Sequence, residues 1–176
     1  MNDEKDKKDK QEEGLPPIAY HVTDNYVTAI IGGGDKQKDA DVPKGLAGFW
    51  DLLAGATKDV ILKEQLIDAL KEDKESVDFL VNAIQDEDNK AFRPILLSLC
   101  WESGLDMHKH LNYFAGLAVE TNDPMLLLEL QTIIQDINPQ DKERKTLAVE
   151  LGKAAALKSD SVSKEIMNDL VYFLES

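Results

Sequence analysis

From about residue 58 onward the apolar side chains recur every three to four positions, the period of α-helices that each bury one face. Leu62, Leu66, Ala69 and Leu70 form the first stripe and predict a helix over about 58–71. Val77, Leu80, Val81 and Ile84 form the second, and Phe92, Ile95, Leu96 and Leu99 the third. Leu111, Phe114, Ala115, Ala118 and Val119 make a fourth. The clearest is the fifth, Leu126, Leu127, Leu130, Ile133, Ile134 and Ile137. Leu147, Leu151, Ala154 and Ala155 give a sixth, and Ile166, Leu170, Phe173 and Leu174 the last.

The punctuation between stripes supports this reading. Asp123-Pro124 and Asn138-Pro139 each set a capping side chain before a proline, which at a first helical position has no N–H to leave unsatisfied. Asp73, Asp88 and Asp106 are further cap candidates, and Ser103-Gly104 stops the third helix, the glycine supplying a positive φ. The connections run to about two to five residues, the length expected between antiparallel neighbours. Pro94 conflicts with a helix beginning before Phe92: either the helix bends there or it starts later.

The first part of the chain reads differently. Residues 1–14 hold a single apolar side chain, the initiator Met, and are expected to be a disordered charged tail. Residues 15–57 form an N-terminal extension. Its mixed stretch 18–31 suits a strand or a short helix, Gly32-Gly33-Gly34 ends that stretch, and an apolar Phe49-Trp50-Leu52-Leu53 segment lies among Gly45, Gly48 and Gly55.

Two segments align at a spacing of 35 residues: Phe79, Ala83, Ile84, Asp88, Phe92 and Ile95 fall opposite Phe114, Ala118, Val119, Asp123, Leu127 and Leu130. A third copy, Leu151, Ala155, Ala156 and Asp160, matches once the spacing stretches by two residues. Repeats of roughly 33–47 residues built from helix pairs mark α-solenoids, in which each pair buries its apolar face against its neighbours. The first junction resembles a HEAT repeat. Leu80, Val81, Ala83 and Ile84 close one helix, Asp86-Glu87-Asp88 makes an acidic turn, and Phe92-Arg93 stands where the apolar–Arg pair opens the next. The resemblance covers about residues 58–176. It implies a short right-handed stack of antiparallel helix pairs that binds other macromolecules, with Arg93 bonded to Asp86 or Asp88. The second unit has Leu128 in the arginine's place, so the ladder does not continue.

Composition narrows the partners. Hydrophobic residues make up 43% of the 176, enough to fold the bulk of the chain as one domain with a tail. The net charge of -14, with Arg93 and Arg144 the only arginines, repels phosphate backbones and argues against nucleic acid. A basic protein partner is favoured; the plainer alternative is that acidity serves solubility alone. No run of about 18 apolar residues and no secretory leader is seen, so a cytoplasmic chain without a membrane anchor is expected.

No constellation of catalytic type emerges. Gly32-Gly33-Gly34-Asp35-Lys36 lacks the Gly-Lys-Ser/Thr of a phosphate loop. His108 and His110 stand two apart and point about 200° from each other on a helix, so they do not form a metal pair. Cys100, the single cysteine, lies in an apolar stripe and reads as an inert core residue. Asp86-Glu87-Asp88 lacks the glycine and closing glutamate of a calcium loop. Trp101 belongs either to the core, the favoured reading, or to the edge of a groove. No catalytic residue, cofactor or metal is therefore expected. The sequence points to a helical-repeat adaptor whose binding residues include Asp86, Glu87, Asp88, Trp101 and Glu102. The alternatives are an acidic, immunity-type inhibitor of a basic partner and, third, an enzyme such as the HEAT-like DNA glycosylases, whose basic face this chain lacks.

Overall fold

A computed structural model describes residue 46, residues 48–56 and residues 59–176. Among them the regular structure is entirely helical. The helices are α1 (Phe49–Ala56), α2 (Val60–Glu72), α3 (Ser76–Gln85), α4 (Arg93–Glu102), α5 (Leu111–Glu120), α6 (Pro124–Ile137), α7 (Asp141–Leu157) and α8 (Ser161–Glu175), with 3-10 turns at Glu87–Phe92 and His108–His110. The charged tail and the glycine-rich part of the extension lie outside the described residues.

Helices pack in consecutive pairs, α1 with α2, α3 with α4, α5 with α6 and α7 with α8. Between pairs, second helices meet second helices (α4 on α6, α6 on α8), and the first helix α5 meets the first helix α7. The apolar stripes face these contacts. Leu66, Leu80, Ile84, Leu96, Leu130 and Leu151 are fully buried. Val119 departs from its stripe and is 40% exposed. α1 joins the array through aromatic rings: Phe49 meets Phe79 of α3 edge-on at 4.8 Å, and Trp50 lies 6.1 Å from Phe92.

The 35-residue spacing has a structural counterpart. α3 and α5 are both ten residues long, and Phe79 and Phe114 are the fourth residue of each, buried alike. At their exits Asp86 accepts from the Asp88 N–H at 2.9 Å, and 35 residues on Thr121 accepts from the Asp123 N–H at 3.1 Å. At a spacing of 37, Asp123 caps α6 through the Met125 N–H, and Asp160 caps α8 through the Ser163 N–H at 2.7 Å. Asp59 caps α2 in the same manner, bonding the Ile61 N–H at 2.8 Å. A carboxylate at this position satisfies N–H groups that the first turn leaves orphaned.

Three expectations need correction. Asp88 is not the cap at the first junction. Asp86 is, and it opens a 3-10 turn rather than an α-helix. That turn resolves Pro94: α4 begins at Arg93, so the proline sits in its first turn, where no N–H is required. Asn138-Pro139 ends α6 instead of starting α7. Asn138 adopts a left-handed conformation (φ 49°), which asparagine tolerates at a helix end, and α7 begins at Asp141 after Gln140. Arg93 does not reach Asp86 or Asp88. Its Nε donates to the Ile84 carbonyl at 2.9 Å and its Nη2 pairs at 2.5 Å with Glu87, the first residue of the 3-10 turn.

Candidate functional site

The residues named from sequence as partner-binding fall into two groups. Asp86, Glu87 and Asp88 occupy the α3–α4 turn, whereas Trp101 and Glu102 close α4 at its other end. A ten-residue helix separates them by about 15 Å, so they do not form one patch. The acidic turn is largely occupied with its own backbone. Asp86 accepts from the Asp88 N–H and from the Asn89 amide at 3.3 Å, and Glu87 holds Arg93, whose guanidinium pulls the Glu87 carboxyl below its usual range.

At the other end of α4 a seam crosses three second helices. Lys63 of α2 donates to Glu102 of α4 at 2.6 Å. Trp101 of α4 is 36% exposed, not core, and its indole N–H donates to Glu129 of α6 at 2.7 Å. Exposed Met125 stands one turn before Glu129, so helical spacing puts it beside the carboxylate; Leu128 is also exposed on α6. α6 carries two carboxylates, Glu129 and Asp136, and no cation. The second helices together hold nine carboxylates against four cations. The first helices hold six against four.

Three of the cations serve helix ends. Arg93 bonds the exit of α3 through the Ile84 carbonyl. Arg144 of α7 bonds the Phe173 and Leu174 carbonyls of α8 and stacks 5.0 Å over the Phe173 ring. Lys158, in the α7–α8 turn, is almost fully buried and donates to the Ala118, Val119 and Thr121 carbonyls at the exit of α5. Those carbonyls have no intrahelical partner, and a cation there also faces the negative end of the helix dipole. Desolvation draws the Lys158 ammonium below the ordinary lysine pKa.

The histidines link neighbouring pairs. His110 pairs with Asp78 of α3 at 3.0 Å, and Lys109 meets the same carboxylate at 2.8 Å. His108 turns the opposite way and pairs with Glu143 of α7 at 3.1 Å. The two-residue spacing that rules out a common face thus directs the rings to opposite neighbours. The Lys109 and His110 bonds lower the Asp78 pKa; the Gln140 N–H, then His108, lower that of Glu143. Cys100 is buried, its thiol donating to the Leu96 carbonyl at 3.4 Å, and burial pushes its pKa up to about 12, which removes the thiolate a nucleophile needs.

Among the described residues no group of three or more His, Cys, Asp or Glu side chains is placed to hold a metal, and no helix is long and apolar enough to cross a membrane. An open cleft of about 410 Å³ lies between α7 and α8, lined by Asp141, Arg144, Lys145, Val149, Leu174 and Glu175. Its arginine is the one bound to the end of α8.

Sequence reasoning missed Glu129 and Lys158. Glu129 is one of two acids on a helix without cations, and that placement marks a polar stripe. Nothing local distinguishes Lys158 from any other lysine after a helix. Comparison with family models, with curated proteins and with solved structures returns no match.

Proposed function

We propose that this chain is a non-catalytic adaptor of the α-solenoid, HEAT-like kind, which holds a basic protein partner on its second helices. The observation that carries the reading is the register between pairs. First turns meet first turns through Asp78–His110 and His108–Glu143, and helix exits meet through Lys158, while second helices lie on second helices. Units laid side by side in this way leave one row of helices free as an extended surface. Here that row carries the larger excess of carboxylates, together with exposed Trp101, Met125 and Leu128. Carboxylates facing a basic partner speed its approach and fix its orientation, while aromatic and methionine side chains supply contact area.

Affinity capture from the native host tests this, comparing the wild type with a Glu129→Lys/Asp136→Lys variant. The adaptor reading expects a basic protein retained by the first and lost by the second, with the helical circular dichroism unchanged. Equal retention by both would overturn the assignment of this face. If the captured protein proves to be a nuclease or toxin that the chain inactivates, the acidic-inhibitor reading takes precedence on the same face.

A further inference from the structure

We infer that Trp101 and Glu129 form the seat for one arginine side chain of the basic partner. This rests on the adaptor reading above and specifies its anchor. The indole ring is exposed, yet its N–H edge is tied to Glu129 at 2.7 Å, so the ring face and the carboxylate make two fixed, adjoining walls. Glu129 is half-buried and has no cation against it among the described residues. Of the other half-buried carboxylates on helices, Glu102 is paired with Lys63, and Glu143 accepts from the Gln140 N–H and meets the His108 ring. A partly desolvated carboxylate whose one partner is a neutral N–H still has capacity for a cationic donor.

The chemistry selects arginine over lysine. A planar guanidinium stacks on an indole face and still directs in-plane N–H groups to a carboxylate beside the ring, whereas a compact ammonium satisfies only one of the two. Exposed Met125, one turn before Glu129 on α6, suits the apolar stem of the side chain. A second copy of this chain does not fit as the occupant. Its only arginines are Arg93 and Arg144, and both are bound to carbonyls at helix ends.

The test uses the full chain with nona-arginine and nona-lysine peptides. Binding is measured by calorimetry and located by the indole N–H resonance of Trp101, assigned with a Trp101→Phe variant. The expected result is a saturable shift of that resonance, with nona-arginine binding about tenfold tighter than nona-lysine. Glu129→Gln should then reduce the nona-arginine affinity about tenfold and leave nona-lysine nearly unchanged. Equal affinities for the two peptides, or an unchanged affinity in Glu129→Gln, would overturn the arginine seat. Calorimetric binding with shifts confined to other parts of the protein would also overturn it while leaving a basic partner in place. If neither peptide binds at all, the basic-partner reading fails and the seat with it.

Discussion

The exits of α3 and α5 are equivalent positions in successive units, yet their carbonyls are satisfied from different places. At α3 the donors come from within the same pair: Asn89 bonds the Ala83 carbonyl at 3.1 Å and Arg93 the Ile84 carbonyl at 2.9 Å. At α5 the donor is Lys158, which reaches from the following pair across about forty positions of sequence. Ser163, in the first turn of α8, adds a bond to the Asn122 carbonyl at 3.3 Å. A cap supplied locally completes a pair but ties it to nothing else. A cap supplied by the next pair makes folding of one unit conditional on the other. The third and fourth pairs should therefore behave as one cooperative block. The second pair joins them through the packing of α4 on α6, the Trp101–Glu129 bond and the exposed Asp78 pairs.

The largest test of this contrast is Leu130→Ala. Leu130 is fully buried in α6, the helix that packs on α4, α5 and α8, and its truncation should cost about 2–5 kcal/mol in chemical denaturation. A loss under about 0.5 kcal/mol would mean that α6 is not the shared core.

Lys158→Met comes next. It leaves the Ala118, Val119 and Thr121 carbonyls without their donor and should cost about 1–3 kcal/mol. Hydrogen exchange should accelerate in both α5 and α7. Acceleration in α7 alone would show that the pairs are not coupled through this cap.

Arg93→Met should cost less, about 1 kcal/mol, since it removes one carbonyl bond and an ion pair with an exposed Glu87. Its exchange signature should stay within α3 and α4. Spread into α5 and α7 would erase the distinction between local and remote capping.

The smallest effect belongs to the exposed pairs. Asp78 and Glu143 have folded pKa values below their ordinary 3.8 and 4.5, so each binds protons less readily when folded than when unfolded. Their contribution is full above those ordinary values and is lost as pH falls through the folded ones. The Tm should therefore decline on acidification below about pH 4.5, and an Asp78→Asn/Glu143→Gln variant should show a shallower decline. An identical slope in the variant would show that these carboxylates fix register without contributing to stability.

The sequence alone determined where the helices lie and which faces are buried, because a 3.6-residue period and a capping carboxylate act within one or two turns. Phe79, Phe114 and Leu151, or Asp123 and Asp160, are legible as equivalents for that reason. Asn138 was misjudged even locally: an asparagine before a proline suits a helix start, and only the backbone path chose the left-handed stop. Tertiary structure decided every pairing that carries the functional argument. Trp101 and Glu129 lie 28 positions apart, and Lys158 lies 37 or more from its carbonyls. Such bonds depend on how helices are laid against each other, and interhelix distance leaves no periodic trace along the chain.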